Sequence, residues 1–311
     1  MVEQTVIEVK GLTKQYKKQT AVKDAAFTIK RGSICGLVGP NGAGKTTIMK
    51  MLGGLVIPSA GNISLYGGMS EKELAKARER MSFMIETPYA KLDLTAWQNL
   101  EKQRIQKGIP DKERPRAVME LVGLSDAGNK KLKEYSLGMK QRFGIANALL
   151  SKPEVMVLDE PINGLDPGGI VEIREMLRKL NREEDVTILI SSHILSELAL
   201  MCSEYLFLAE GEIVRQVTSE ALKRECRSYL RVNTDNNNLA LVVLREKLDI
   251  ADYEVEEDGS LRLYEYFDNI AAVSRTLYEN GVLPIGLLAG GDTLEQYYMS
   301  MIGGAAHVEH H

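Results

Sequence analysis

Two groups of residues carry the strongest chemical signal. Gly39-Pro40-Asn41-Gly42-Ala43-Gly44-Lys45-Thr46-Thr47 follows the β-like run Ser33 to Val38 and opens a helical pattern. In that setting small residues let the backbone wrap a phosphate and the helix N-terminus offers unpaired N–H groups. Lys45 can then reach β- and γ-phosphates, and the Thr46 hydroxyl suits Mg²⁺. Much later, the apolar run Val155 to Leu158 ends in Asp159-Glu160. A buried strand would deliver both carboxylates to the edge where a phosphate loop sits. Asp159 then serves the metal, and Glu160 polarises the water that attacks a γ-phosphate. The expected ligands are ATP and Mg²⁺.

These groups need a scaffold that brings distant strand ends together. Short β-like runs (Val6 to Val9, Ser33 to Val38, Val155 to Leu158, Thr187 to Ile190) alternate with helix-length patterns. That rhythm predicts a mainly parallel sheet wrapped by helices. Between Thr95 and Leu150 it changes: Leu100 to Lys107, Arg116 to Val122 and Leu137 to Leu150 read as helices with no strand between them, which predicts a helical subdomain over about 88–150. After the helix expected at Ser219 to Arg224, a second unit over 218–304 reads strand, helix, strand, strand, helix, strand. Its pieces are Tyr229 to Val232, Leu239 to Leu248, Tyr253 to Glu256, Leu261 to Tyr266, Ile270 to Glu279 and Leu283 to Leu288, with a hairpin at Asp258-Gly259. The order fits a small α+β ferredoxin-like split βαβ.

Composition bounds the partners. With 311 residues, 44% of them hydrophobic, the chain can bury an ordinary core. It holds no run of about 18 uninterrupted apolar residues, and Met1 to Lys10 lacks a secretory layout, so membrane work is expected to need a partner. Cys35, Cys202 and Cys226 share no metal-type spacing and read as packed side chains in a reducing cytoplasm. A net charge of −4 gives no reason to expect nucleic acid as a partner. The tail 305–311 looks like the remnant of a purification tag and is set aside.

Tyr135-Ser136-Leu137-Gly138-Met139-Lys140-Gln141-Arg142 precedes the Asp-Glu strand. Ser136 at a helix N-terminus with Gly138 in the first turn makes a second anion site, which one chain cannot fold onto its own phosphate loop. The string resembles the signature motif of ABC ATPases, in the variant where Leu137 and Met139 replace glycine and glutamine. The resemblance runs in order along residues 5 to 215. It implies an α/β P-loop NTPase cassette (1–217) with a mainly parallel core, an antiparallel β part and a helical subdomain. It also implies that Tyr16 stacks on adenine and that Ser136 and Gly138 close over the γ-phosphate held by a second cassette in a head-to-tail dimer. Asp166, in Asn163-Gly164-Leu165-Asp166, would contact the opposite subunit, and His193 would hydrogen-bond the γ-phosphate. On residue type alone these are a packing tyrosine, an Asn-Gly turn and a strand-end histidine.

One position departs from the pattern. Met84-Ile85-Glu86-Thr87-Pro88 lies where the family carries a glutamine that contacts Mg²⁺ and the attacking water. The carboxylate of Glu86 adds charge and only accepts hydrogen bonds, so it is expected to bind the metal or to alter how water is held. This glutamate, the Ser-Leu-Gly-Met-Lys-Gln string and an extension ending near Leu294-Glu-Gln-Tyr-Tyr-Met299 together resemble the bacitracin-resistance and lantibiotic self-protection ATPases. That implies a peripheral subunit on the cytoplasmic face of a bacterial membrane, powering export through separate permease subunits. A non-transport ABC ATPase acting on nucleic acid or the ribosome is the alternative, and the chain has neither the coiled-coil insertion nor the second cassette of those groups.

Overall fold

The computed structural model describes residues 4–17, 19–86, 90–291 and 296–299. The tag-like tail, Thr87-Pro88 and Leu294-Glu295 lie outside them. The chain divides into two compact units, Met1–Ser219 and Glu220–His311.

The first unit begins with β1 (Thr5–Tyr16), β2 (Gln19–Lys30), β3 (Ile34–Val38), α1 (Lys45–Leu52), β4 (Ala60–Leu65), α2 (Glu71–Arg78) and β5 (Met81–Met84). The helical stretch follows: α3 (Ala96–Gln106), α4 (Arg114–Leu121) and α5 (Leu137–Leu149), with no strand between them. Then come β6 (Val155–Asp159), α6 (Pro167–Glu184), β7 (Thr187–Ser192), α7 (Leu195–Ala199), β8 (Glu204–Ala209) and β9 (Glu212–Thr218). Its main sheet has the order β5-β6-β7-β3-β8-β9, parallel except for β9. β3, β6, β7 and β8 are buried at every position, as expected of apolar strands covered on both faces. A second sheet, β2-β1-β4, is antiparallel. Sequence marks the helix starts: capping boxes at Ser70/Glu73 and Thr95/Gln98, and Ser136 accepting from Met139 N at the head of α5. No helix among the described residues is long and apolar enough to cross a membrane.

The second unit holds α8 (Ser219–Glu225), β10 (Tyr229–Thr234), α9 (Asn237–Leu248), β11 (Tyr253–Val255), β12 (Leu261–Leu263), α10 (Ile270–Glu279) and β13 (Pro284–Gly290). The sheet order is β11-β12-β10-β13, antiparallel throughout, so each outer strand is reached from a central one through a helix, the topology of a split βαβ. Leu230, Val232, Leu261 and Leu263 point into the core with Val243, Leu244, Val273 and Leu277. The strand expected to run to Tyr266 stops at Leu263. One further in-register bond follows, Tyr264 N donating to Asp252 O, before the left-handed Tyr266 (φ 59°) redirects the chain toward α10.

Candidate functional site

The phosphate loop lies between β3 and α1, at the C-terminal edge of the main sheet. Its backbone has no spare room. A Cβ at Gly39 would fall 2.5 Å from Leu208 O, and one at Gly44, where φ is +111°, would fall 2.5 Å from Ala21 O. The head of α1 has no side-chain cap and no acid in its first turn, so its dipole and amides are available to an anion. Asn41, Gly42, Gly44, Lys45, Thr46 and Thr47 line this cleft together with Glu160; Ala43 is buried beneath it. Lys45 Nζ donates to Gly39 O (2.6 Å) and Pro40 O (3.2 Å) and stands 3.2 Å from Glu160 Oε1.

β6 delivers the two carboxylates as its pattern implied. Asp159 is 7% exposed. Its Oδ2 accepts from Thr46 Oγ1 (2.7 Å) and its Oδ1 from Ser191 Oγ (2.6 Å). The same Ser191 oxygen accepts from Glu160 N at 2.8 Å. Glu160 has a left-handed backbone, φ 48°, a conformation costing an L-residue about 1–2 kcal/mol. That turn sends its side chain between Lys45 and His193, whose Nδ1 is 2.9 Å from Glu160 Oε2. Ser191, fully buried at the end of β7, thus aims both acids. Sequence reasoning passed over it because a strand-end serine has no distinguishing spacing.

The remaining expected residues fall elsewhere. Ser136, Gly138 and Asp166 line a second cleft with Leu137, Arg142 and Glu172, and this cleft shares no lining residue with the first. Leu137, in the place of the usual glycine, reaches over Gly164: a Cβ there would meet Leu137 Cδ2 at 2.9 Å. Tyr16 ends β1, 44% exposed, with Lys14 Nζ 5.0 Å from its ring centroid. It does not line the phosphate cleft, although β2 of the same hairpin contributes Ala21. Glu86 is not drawn to Thr46 or Asp159; its carboxylate pairs with Lys50 Nζ at 2.5 Å. Among the described residues no group of three or more His, Cys, Asp or Glu is placed to hold a metal. The oxygen pair of Thr46 and Asp159 is the nearest approach to a hard-cation site.

The ABC transporter family profile matches residues 22–163. The bacitracin transport ATP-binding protein BcrA of Bacillus licheniformis is 39% identical over 96% of this chain and 98% of its own length. The lantibiotic transport ATP-binding protein SrtF of Streptococcus pyogenes is also 39% identical, over 67% of this chain and 89% of its own. Among solved structures, a dimeric ATP-binding cassette in a post-hydrolysis state with ADP and Pi superposes with a TM-score of 0.63. It is 28% identical and covers 68% of this chain and 98% of its own. The chain therefore belongs to the ABC transporter family, as an ATP-binding and ATP-hydrolysing subunit that works with a second cassette and separate membrane-spanning subunits.

Proposed function

We propose that this subunit powers export of an envelope-active peptide of the bacitracin class, from a peripheral position on the cytoplasmic face of the membrane. The observation that carries the substrate class is the extent of the BcrA match. A match over 96% of the chain runs through both units, whereas the lantibiotic relative aligns over 67%. The net charge of −4 and the transport relatives leave the nucleic-acid alternative without support.

In this reading the loop amides and Lys45 hold the β- and γ-phosphates, and Tyr16 stacks on adenine from the neighbouring hairpin. Thr46 and Asp159 would hold Mg²⁺, since both offer hard oxygens and stand 2.7 Å apart. The ion supplies charge neutralisation at the phosphates. Glu160 accepts the proton of the water that attacks γ-phosphorus, and His193 holds the Glu160 carboxylate and the γ-phosphate edge. Ser136, Gly138 and Asp166 of the second cassette complete the site, because the two clefts of one chain are separate. Closure of the pair switches the membrane-spanning subunits between access states, and hydrolysis resets them.

The test is the susceptibility of the source organism carrying Glu160→Gln to a panel of bacitracin, lantibiotics and other envelope-active peptides. Selective sensitisation to bacitracin is expected. Unchanged susceptibility across the panel, with the variant expressed at its normal level, rejects the peptide reading and leaves the transporter ATPase intact.

A further inference from the structure

One face of α1 makes two contacts with the sheet edge. Thr46 and Lys50 are four residues apart and so lie on the same side of the helix. Thr46 meets Asp159 at the end of β6, and Lys50 Nζ donates to Glu86 Oε1 at 2.5 Å, just past the end of β5. The two strands run parallel with Met84 opposite Leu158 as their last pair, and Glu86 and Glu160 each follow two residues later. Glu86 holds a left-handed backbone, φ 60°. A non-glycine residue stays in that region only where its surroundings secure it. Lys50 is the better anchored partner, its side chain 29% exposed against 63% for Glu86.

Further along the chain, Lys91 is fixed to the helical subdomain. Asn99 of α3, 4% exposed, donates to Lys91 O at 3.0 Å and accepts from Lys91 N at 2.9 Å. The first turn of α3, between Thr95 and Asn99, also carries Trp97, the only tryptophan of the chain. Its indole packs on Gly128 so closely that a Cβ there would lie 2.1 Å from Nε1.

The geometry points to Lys50 as a positioning residue for the ATPase reaction: its ammonium holds Glu86 on α1 and ties the helix that starts at the phosphate loop to the segment leading into α3. This rests on the ATPase reading of the cleft. A carboxylate makes a charge-assisted bond to Lys50 that a neutral amide matches only weakly, which gives a reason for glutamate at a position where the family carries glutamine. Glu86 then acts through its ion pair with Lys50.

Steady-state ATPase kinetics and Trp97 emission of the full chain test this in wild type, Lys50→Met, Lys50→Arg, Glu86→Gln and the Lys50→Met/Glu86→Gln double variant. Lys50→Met is expected to lower kcat about 10-fold while the KM for ATP stays within about 2-fold. It should also remove the change in Trp97 emission on adding ATP and Mg²⁺, and Lys50→Arg should restore both. In the Glu86→Gln background the same Lys50→Met change should cost less than about 2-fold further, the non-additivity of a direct pair. Additive losses, or a Lys50→Met chain with wild-type kcat and wild-type Trp97 response, overturn the proposal. If circular dichroism shows Lys50→Met unfolded, Lys50→Gln carries the same comparison with a polar stem. A wild-type chain that binds no ATP would instead sink the reading of the cleft itself.

Discussion

Two buried serines organise the two charged clusters of this protein. Ser191, in the first unit, donates to Asp159 and accepts from Glu160 N. Ser260, in the second, is 1% exposed and lies within hydrogen-bond reach of Asp258, Glu256 and Arg231. The difference lies in what each leaves open. Around Ser191 the residues come from α1 and the ends of β6 and β7, Lys45 and Asp159 are 6% and 7% exposed, and Glu160 is strained into place. The Glu160 Oε1 atom has an ion-pair neighbour but no hydrogen bond. Around Ser260 the residues come from one hairpin and the adjacent strand, and the acids are answered locally: Arg231 by Glu256 at 2.7 Å and by Asp258 at 2.5 Å, Arg262 by Glu256. Arg262 lies over the Tyr229 ring at 4.3 Å and Arg227 over Tyr264 at 3.3 Å. The first cluster directs unspent hydrogen-bonding capacity toward a ligand. The second pairs its acids with its own arginines and fastens a sheet, with Arg262 Nε left without a hydrogen bond.

That contrast breaks most easily at Glu160. Glu160→Gln should lower kcat by about 10³-fold while ATP affinity stays near wild type, since a general base contributes roughly 10²–10⁴; normal turnover would remove Glu160 from the role of base. Next comes Ser191→Ala. It leaves a buried Asp159 oxygen without its donor, and should lower stability by about 1–3 kcal/mol and kcat by at least about 10-fold, read by denaturant unfolding and ATPase assay. Ser260→Ala should leave kcat within about 2-fold. If the two serine variants proved equally harmless to turnover, the distinction between the clusters would collapse.

The smallest expected effect is in acid. Hydrogen bonds from Ser260, with Arg262 and Arg231 adding to them, hold the Glu256 carboxyl below the usual carboxylate range; Ser260 and then Arg231 do the same for Asp258. Groups with depressed folded pKa values contribute stability above their unfolded values, about 4, and lose it as pH falls through the lower folded values. Ser260→Ala should therefore flatten the fall in denaturation midpoint below about pH 4. An unchanged slope would show that the cluster does not couple to folding.

Legibility followed the range of the signal. Gly39 to Thr47 was readable because a strand, a tight turn and a helix are all encoded within one short string. Asp159 and Glu160 were readable because they end an apolar run, and the order of elements in the second unit followed from alternation and the Asp258-Gly259 turn. What escaped was pairing between distant residues. Nothing in the neighbourhood of Ser191 announces that it will face Asp159, and nothing near Glu86 announces its pairing with Lys50. The expected extension of β12 to Tyr266 failed for a related reason: its partner strand, β11, is only three residues long, a limit invisible in the apolar pattern of Leu261 to Tyr266.

The sheet order has a consequence for synthesis. β3, which carries the phosphate loop, pairs with β7 and β8 and with no strand made before them. At about 5–20 residues per second the roughly 150 residues between β3 and β7 take on the order of 10–30 s to emerge. The β2-β1-β4 sheet is complete by Leu65 and can form at once. Throughout that interval the nascent chain displays a fully apolar strand with both edges bare, a template for aggregation that a growing polypeptide must have shielded until Thr187 leaves the ribosome.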